Sequence, residues 1–261
     1  MKALLVDAGN TRLKWALCEG ETFLQQGAFA YDWSGLERQF DEQWDGIAKT
    51  HSPDQVILSN VAGSRLAAPM SQWLATHRLQ EMPPLTINTV TAQAEAYGIR
   101  CAYQRPSQMG ADRWAALIAA KHYLDGPCCV IDCGTALTID LLTAGGEHAG
   151  GLIAPGLNMM HQSLITNTAL IPSGITQNRS VFTVNDTLGA VQAGIMAAAA
   201  GTVQQVLQQC REHWQQEPVC VLTGGDADTL IDALPKTLAD RFLRDSDWVL
   251  KGLAIIAGCV E

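Results

Sequence analysis

The chain has 261 residues, of which 48% are hydrophobic and 16% charged, and this composition is typical of a globular protein and excludes a disordered one. That length allows one large domain or two smaller ones with cores of their own. The formal net charge is −9 and no Lys/Arg cluster is present, so the chain is not expected to bind a nucleic-acid backbone or an anionic membrane. A phosphate ligand would be held by backbone N–H groups, a metal ion and a few local cations.

The eight cysteines form no C-x-x-C pair and lie mostly in apolar runs, which predicts buried, reduced thiols. The six histidines lack metal-ligand spacing, so a structural zinc is not expected. Asp7 interrupts the apolar run at the N-terminus, which is therefore too short for the core of a signal peptide. The sequence contains no run of about 18 apolar residues free of Gly and charge, so a membrane helix is not expected. These features predict a cytoplasmic protein.

The first half of the chain alternates short apolar strands with helical patterns. A long polar stretch, Asn88 to Gln108, ends this half, and long loops of this kind in compact domains are often functional. The predicted elements before it are strands at Lys2–Asp7, Arg12–Cys18 and Glu21–Ala30, a helix at Trp33–Lys49, a strand at Asp54–Ser59, a helix at Ser64–His77 and a strand at Leu85–Ile87.

The second half begins with a predicted helix and ends with one. Thr187, where the longest helical pattern begins, is also a favourable N-cap residue. The predicted elements are a helix at Gly110–Leu124, strands at Cys128–Asp132 and Thr135–Thr143, a third run ending at Pro155, a helix at Gly156–Thr168, a loop at Ala169–Asn185, a helix at Thr187–Trp214, a strand at Val219–Thr223 and a helix at Trp248–Val260.

The two halves share a strand–turn–strand motif, VDAGNTRLKWAL from Val6 and IDCGTALTIDLL from Ile131. In both copies an apolar strand ends in Asp, followed by any residue, Gly and a small polar residue, and the copies lie 125 residues apart. Two hairpins can be similar by chance. However, the spacing of 125 residues is close to half the length of the chain, which favours a duplicated structural unit. We therefore predict a five-stranded mixed sheet in each half.

The first motif has the chemistry of a phosphate-binding turn. Gly9 allows close backbone approach, Asn10 and Thr11 supply side-chain donors, and Lys14 is placed to reach a phosphate. Asp7, at the strand end, is placed to hold magnesium directly or through water. An ordinary hairpin with a polar turn is the alternative for this motif taken alone.

The second motif and a later Gly-Gly pair extend this pattern. Asp132 to Asp140 repeats the turn, and Gly224-Gly225 after an apolar strand is suited to a contact near an adenosine. These three elements in this order resemble the acetate kinase, sugar kinase, heat-shock-protein and actin superfamily. The resemblance implies an α/β fold of two tandem ribonuclease-H-like domains, 1–115 and 116–261, with ATP in the cleft and the last helix packing back on the first domain.

A third motif, Gly110-Ala111-Asp112-Arg113, opens a predicted helix after the polar stretch. A carboxylate at a helix start is stabilised in its ionised form by backbone N–H groups and the helix dipole. An ionised Asp112 can orient a hydroxyl and accept its proton during phosphoryl transfer. A capping Asp followed by a surface Arg is the simpler structural interpretation of the tetrapeptide.

Taken together, these motifs resemble the type III pantothenate kinase family, which catalyses the first step of coenzyme A biosynthesis. The resemblance rests on DAGNTRLK, on Tyr103 before Gly110-Ala111-Asp112-Arg113, on IDCGTALTID, and on GGLIAPGLNMM and NDTLGAVQAG, which occur in that order. One departure is Cys133, where an aromatic residue is common in the family. The resemblance implies a kinase that phosphorylates pantothenate with ATP and Mg²⁺, requires K⁺ or NH₄⁺, and forms a homodimer.

The resemblance also implies a role for each motif. Asp112 would accept the proton of the pantothenate hydroxyl, Asp132 would bind the monovalent cation, and Asp7 would lie near magnesium. Thr187 would contact pantothenate from a neighbouring subunit. The residues implied for ATP are Asp7, Ala8, Gly9, Asn10, Thr11, Arg12, Leu13, Lys14 and Thr135, and those for pantothenate are Tyr103, Gly110, Ala111, Asp112, Arg113 and Thr187.

Two rival functions remain at the level of sequence. One is another small-molecule kinase or a phosphatase of the same superfamily, against which Tyr103 and the GADR motif argue. The other is a nucleotide-binding regulator without catalysis, against which the intact Asp7, Asp112 and Asp132 argue. Asp140 is either a group supporting the cleft or a solvated strand end, and the sequence does not decide between these.

Overall fold

The computed structural model describes residues 1–50, 53–76, 86–174 and 182–260. These residues form two compact units, Met1–Tyr123 together with Asp247–Glu261, and Leu124–Ser246. The boundary expected after residue 115 falls inside a helix, whereas the units divide between Tyr123 and Leu124.

The first unit contains one large sheet, a two-stranded ribbon and four helices among the described residues. A single 3-10 turn, Pro106–Gln108, precedes the third helix. The strands are β1 (Lys2–Ala8), β2 (Arg12–Glu19), β3 (Thr22–Ala30), β4 (Gln55–Asn60), β5 (Thr86–Thr89), β6 (Glu95–Ala96) and β7 (Ile99–Arg100), and the helices are α1 (Leu36–Thr50), α2 (Ser64–Thr76), α3 (Ala111–Tyr123) and α8 (Trp248–Ile256).

The large sheet of the first unit has five strands in the order β3-β2-β1-β4-β5. β1, β2 and β3 form an antiparallel meander, and β4 and β5 continue the sheet parallel to β1. Alternate residues of a strand face opposite sides of the sheet. In β1, Leu4, Val6 and Ala8 join one core cluster, while Ala3 and Leu5 are buried on the other face, which explains why this strand is a continuous apolar run.

Helices α1 and α2 contribute the aromatic part of that core cluster. Phe40 and Trp44 of α1 stack with ring centroids 4.7 Å apart, and Trp73 of α2 meets Trp44 edge-on at 5.8 Å. The indole N–H of Trp73 donates to Asp41 Oδ1 at 2.7 Å, which joins α2 to α1. Such aromatic pairs contribute roughly 0.5–1.5 kcal/mol beyond their buried area.

The C-terminal helix α8 packs against α3 within the first unit. A Cβ atom on Gly252 would collide with the main-chain carbonyl of Ala115, so the two helices approach closely only because position 252 lacks a side chain. The indole N–H of Trp248, which is 1% exposed, donates to the Ala116 carbonyl at 3.0 Å. The helix ends at Ile256, four residues earlier than its apolar pattern predicts.

The second unit has the same sheet topology as the first. Its sheet order is β10-β9-β8-β11-β12, with an antiparallel meander continued by two parallel strands. The prediction of a five-stranded mixed sheet in each half is thereby confirmed. The strands are β8 (Cys128–Cys133), β9 (Ala136–Leu142), β10 (His148–Pro155), β11 (Val219–Thr223) and β12 (Phe242–Arg244), and the helices are α4 (Leu157–Asn167), α5 (Thr187–Trp214), α6 (Ala227–Ile231) and α7 (Lys236–Ala239).

Helix α5 supplies most of the helical side chains in the core of the second unit. Its buried residues recur at helical spacing and pack with the apolar side of β8, β9 and β11. By length and composition alone, α5 is long and apolar enough to cross a membrane, which the sequence pattern did not predict. Core helices of soluble proteins can be equally long and apolar, and the side of α5 that packs in the core accounts for its apolar composition.

Several short elements were missed by the sequence patterns. These are the β6–β7 ribbon inside the predicted polar loop, and α6, α7 and β12 after Gly224-Gly225. Each has five residues or fewer of regular structure, too few to display a helical or strand period. His77, Leu85 and residues 175–181 of the predicted loop lie outside the described part of the chain. All eight cysteines lie within it and are free, and seven of them are buried, as predicted.

Candidate active site

The first glycine turn connects β1 to β2 at the edge where β1 ends. Asp7 lies opposite Lys14 in the antiparallel pair, and Ala8 lies opposite Leu13, which leaves Gly9, Asn10 and Thr11 as the turn. Asn10 and Thr11 are exposed, and Asp7 and Lys14 are half-buried. Of the predicted ATP-binding residues, Asp7 to Lys14 therefore form one continuous hairpin tip with a carboxylate and an ammonium at its base, and Thr135 lies in the second turn.

The carboxylate of Asp7 is oriented by the neighbouring parallel strand. Ser59 of β4 lies beside Asp7 in register, is completely buried, and donates its hydroxyl to Asp7 Oδ1 at 3.1 Å. A hydrogen bond to the charged form of a carboxyl favours ionisation. An oriented, ionised Asp at a strand end fits the oxygen-only coordination that magnesium prefers.

The third motif lies at the start of α3. Gly110 precedes the helix and its carbonyl accepts from Trp114 N–H at 3.0 Å, while Asp112 occupies the first turn. Asp112 Oδ1 accepts from Arg113 N–H at 2.7 Å and folds over Gly110, where a Cβ atom would crowd it. The carboxylate therefore lies at the positive end of the helix dipole with its orientation fixed by the backbone.

Val61 connects the glycine turn and the third motif within the first unit. Its N–H donates to the Ala8 carbonyl at 3.0 Å, and its Cγ1 lies 3.8 Å from the position of a Cβ atom on Gly110. The turn that follows β1 and the carboxylate that opens α3 are thus brought to the same end of one sheet. Val61 thereby links Ala8 and Gly110, which are 102 positions apart in the sequence.

Tyr103 and Arg113 form a direct contact. Arg113 is only 6% exposed, and its Nη1 donates to the Tyr103 hydroxyl at 2.8 Å. Arg113 is therefore not the surface residue that the simpler interpretation of the tetrapeptide required. The predicted pantothenate-binding residues 103 and 110–113 are grouped by this contact.

The second turn, in the second unit, is one residue shorter than the first. Asp132 lies opposite Thr138, and only Gly134 and Thr135 separate β8 from β9. The turn is tied to the start of α4, because Gly156 N–H donates to the Thr135 carbonyl at 3.1 Å and a Cβ on Gly156 would overlap the backbone of the turn. Thr223 of β11 lies beside Asp132 in register, as Ser59 lies beside Asp7 in the first unit.

The Gly-Gly pair after β11 lies against this second turn. Gly224 has φ of +98°, and a Cβ there would collide with the Cys133 carbonyl and with Asp132 Oδ1. Asp226 follows closely, and its N–H donates to the same Cys133 carbonyl at 2.8 Å. Both the position and the left-handed conformation therefore require glycine at residue 224.

The second turn carries concentrated negative charge. Burial, and to a smaller extent the carboxylates of Asp226 and Asp132, raises the pKa of the Cys133 thiol to about 12. Burial also raises the pKa of Asp226 above its ordinary value. Two carboxylates beside one buried thiol make a region that would accept a cation, with oxygen ligands suited to a hard ion.

Two other predictions are corrected or resolved. Thr187 is not the helix cap, because Asp186 occupies that position and its Oδ1 accepts from Gly189 N–H at 2.7 Å. Thr187 is instead the exposed first residue of α5.

Asp140 is not a solvated strand end, because it is 3% exposed and lies 3.0 Å from His148 Nε2. Within the described residues, no group of three His, Cys, Asp or Glu side chains could by itself hold a metal ion.

Comparisons with known proteins agree with this geometry. The sequence model of the family described as type III pantothenate kinase matches residues 3–209 of the chain. The chain belongs to the type III pantothenate kinase family. The resemblance indicated by its motifs is thereby confirmed.

Relatives within the type III pantothenate kinase family match nearly the whole chain. One from Nitrosococcus oceani is 35% identical, over 97% of this chain and 93% of its own. One from Janthinobacterium sp. strain Marseille is 38% identical, over 97% of this chain and 96% of its own. The solved structure of an activator of 2-hydroxyisocaproyl-CoA dehydratase from Clostridium difficile, with bound ADPNP, matches with a TM-score of 0.57 at 11% identity, over 98% of this chain and 94% of its own. That likeness establishes the fold, which the chain also shares with a putative N-acetylmannosamine kinase from Listeria monocytogenes at a TM-score of 0.55 and 12% identity, over 98% of each chain.

For this member of the type III pantothenate kinase family, sequence reasoning missed three residues near the turns. Ser59 and Tyr31 contact the first turn, and Asp226 contacts the second. The sequence did carry a signal for Ser59 and Asp226, because each is a polar residue at or just after the end of an apolar strand. Those strands, β4 and β11, pair in parallel with β1 and β8, which carry Asp7 and Asp132. Tyr31 follows an exposed strand, and nothing in the sequence connects it to Gly9.

Proposed function

We propose that the protein transfers the γ-phosphoryl group of ATP to the hydroxyl of pantothenate, giving 4′-phosphopantothenate and ADP, the first step of coenzyme A biosynthesis. The observation that carries the proposal is that Val61 lies next to both motifs: its N–H donates to the Ala8 carbonyl just before the glycine turn, and its Cγ1 lies 3.8 Å from the Cβ position of Gly110, two residues before Asp112. A phosphate-binding turn and a proton-accepting carboxylate are the two parts that phosphoryl transfer to an alcohol requires. Membership of the type III pantothenate kinase family identifies the acceptor alcohol.

In the proposed reaction, Asp112 accepts the proton of the pantothenate hydroxyl. Its carboxylate is already oriented by the Arg113 N–H and lies in the first turn of α3, where the helix dipole favours the negative charge. Arg113 and Tyr103, held together at 2.8 Å, bind the polar groups of pantothenate beside Asp112. Catalysis then comes mainly from holding the hydroxyl close to Asp112 in a productive orientation.

The proposed donor site is the first turn, from Asp7 to Lys14. Backbone N–H groups of the turn and the side chains of Asn10 and Thr11 bind phosphate oxygens, and Lys14 adds positive charge at the base of the hairpin. Asp7, oriented by Ser59, is the residue that would hold magnesium, directly or through water. The metal ion offsets the charge that develops on the transferred phosphoryl group. Thr135 of the second turn contacts ATP in this proposal.

A monovalent cation, K⁺ or NH₄⁺, is proposed to bind at Asp132. The supporting observation is the excess of negative charge at the second turn, where the carboxylates of Asp132 and Asp226 both raise the pKa of Cys133. The main-chain carbonyl of Cys133 adds a further oxygen to this region, although it already accepts the Asp226 N–H. A mobile cation there would offset phosphate charge in a chain whose net charge is −9.

The working form is proposed to be a cytoplasmic homodimer. In this proposal, Thr187 contacts pantothenate bound to the neighbouring subunit, and its exposed position at the start of α5 is compatible with that role. The test is the molar mass in solution, measured by light scattering. A Thr187→Val variant that stays dimeric but has a raised KM for pantothenate would support the contact, and an unchanged KM would remove it.

The decisive experiment is an ADP-release assay with ATP, magnesium and pantothenate, run in K⁺ and again in Na⁺. Turnover that requires both pantothenate and K⁺ is expected. An Asp132→Asn variant should then need a K⁺ concentration at least about tenfold higher for half-maximal rate, because the proposed ligand loses its charge. Folded protein without pantothenate-dependent turnover in K⁺, Na⁺ or NH₄⁺ would overturn the proposed function.

A further inference from the structure

Tyr31 contacts the first glycine turn twice. Its hydroxyl donates to the Gly9 carbonyl at 2.9 Å, and its backbone N–H donates to the Thr11 carbonyl at 3.4 Å. Tyr31 follows directly after β3, the edge strand of the first sheet that pairs with β2. One residue thus bonds to carbonyls on both sides of Asn10.

The contact with Gly9 determines where the next backbone N–H points. The C=O of Gly9 and the N–H of Asn10 belong to one planar trans peptide unit, so they point in opposite directions. Holding the Gly9 carbonyl against the Tyr31 hydroxyl therefore directs the Asn10 N–H away from Tyr31. A rotation of this peptide unit would present a carbonyl oxygen where an anion requires a donor.

The Tyr31 ring is itself held by its neighbours. It stacks on Trp33 with centroids 4.4 Å apart, and Phe29 meets it edge-on at 6.3 Å. The guanidinium of Arg65 lies over Trp33 at 4.1 Å from the ring centroid, so Tyr31, Trp33 and Arg65 form a three-layer stack. Burial, and to a smaller extent the negative charge of Asp7, raises the pKa of Tyr31, which keeps its hydroxyl protonated and able to donate.

We propose that Tyr31 is a positioning residue for the nucleotide: its hydroxyl fixes the Gly9–Asn10 peptide unit so that the turn presents N–H groups to the ATP phosphates. The proposal rests on the proposed function only in assigning phosphate binding to this turn. The stack formed by Tyr31, Trp33 and Arg65 keeps the hydroxyl in place between catalytic cycles. A turn fixed in advance binds phosphate without first losing backbone freedom.

The test compares Tyr31→Phe with the wild type and with Tyr97→Phe. The first variant keeps the ring and its stacking and removes only the hydroxyl. Tyr97 is a matched control because it is 43% exposed in the tight turn between β6 and β7. Calorimetry gives the dissociation constant of Mg·ATP without pantothenate, the ADP-release assay gives both KM values, and thermal unfolding gives Tm.

For Tyr31→Phe we expect the ATP dissociation constant and KM to rise about five- to tenfold, as for the loss of one hydrogen bond that orients a binding group. The KM for pantothenate and the Tm should stay close to wild type, and Tyr97→Phe should change none of these. An unchanged ATP dissociation constant would overturn the proposal. An equal rise in both KM values together with a lowered Tm would also overturn it, by showing a general structural role.

The two measurements separate this inference from the proposed function. The calorimetric constant reports on Tyr31 and the turn alone, whatever the acceptor is. Pantothenate-dependent ADP release by the wild type reports on the proposed function alone. If the wild type binds ATP but ignores pantothenate, the acceptor assignment fails, and a weakened ATP affinity in Tyr31→Phe still supports the role of Tyr31.

Discussion

Arg113 Nη1 donates a 2.8 Å hydrogen bond to the hydroxyl of Tyr103, and Arg113 is only 6% exposed. A buried guanidinium has five N–H donors and no acceptor, so each missing partner costs stability. The position of Arg113 next to Asp112 therefore depends in part on a residue ten positions earlier in the chain. The proposed role of Tyr103 in binding pantothenate can therefore be tested separately from that of the proposed proton acceptor, Asp112.

Tyr103→Phe should raise the KM for pantothenate about three- to tenfold, because Arg113 loses an acceptor and its guanidinium is less firmly oriented. The dissociation constant of ATP should not change, since the hydroxyl that is removed accepts from Arg113, a residue proposed to bind pantothenate. Steady-state kinetics with each substrate varied in turn gives both values, with Tyr97→Phe as control. A rise in the ATP constant equal to that for pantothenate would contradict a specific role in acceptor binding.

Asp112→Asn should lower kcat by about 10²-fold or more, because the amide cannot accept the hydroxyl proton. The substitution keeps the shape of the side chain and an oxygen that can accept the Arg113 N–H, so the ATP dissociation constant should change little. Asp125→Asn, in the exposed turn after α3, is a matched control and should keep normal turnover. Near-normal turnover in Asp112→Asn would remove Asp112 from the role of proton acceptor.

The main architecture could be predicted from the sequence because local patterns specify it. The repeated Asp-x-Gly motif occurs at strand ends, and both copies form hairpins in sheets of equal topology. The apolar β1 and β8 sequences predicted strands, and the continuous apolar run reflects burial along most of the length of each strand. The grouping of Asp112 with the first turn was expected only through the family resemblance, since it depends on the long-range contact through Val61.

Other contacts could not be predicted because they depend on three-dimensional details that local patterns do not encode. Asp186 and Thr187 are both suitable helix caps, and only the dihedral angles of Asp186 show which one caps α5. Asp140 meets His148 because β10 contains a register shift between His148 and Gly150. The contact between Tyr31 and Gly9 spans 22 residues across the antiparallel meander and involves a side chain at the end of an exposed strand.

Asp226→Asn should stabilise the protein at neutral pH. Burial raises the folded-state pKa of Asp226 above its unfolded value, so the ionised carboxylate lowers stability as the pH rises through the folded-state pKa. The amide has no such titration, and the side chain of Asp226 makes no capping hydrogen bond that would be lost. Because Asp226 is only partly buried and solvent screens its charge, we expect a gain below about 1 kcal/mol.

Thermal unfolding at pH 7.5, 6 and 4.5 measures this effect. The difference between Asp226→Asn and the wild type should be largest at pH 7.5 and should shrink toward the unfolded-state pKa of about 4. Asp228→Asn is the control, because Asp228 lies in the same segment, has an exposed side chain and is 3.6 Å from Arg244. A variant at position 226 that is less stable than the wild type at pH 7.5 would show that the carboxylate is stabilising instead.

Gly252→Ala should destabilise the first unit, whereas Gly46→Ala should stabilise it. A Cβ at position 252 would overlap the Ala115 carbonyl and force α8 away from α3, at a cost of about 1–3 kcal/mol. A Cβ at position 46 of α1 meets nothing within 4 Å, so the higher helix propensity of alanine should add up to about 1 kcal/mol. Urea unfolding gives both free-energy changes. Equal effects at the two positions would mean that the close approach of α8 to Ala115 is not required for stability, and that both glycines act only through helix propensity.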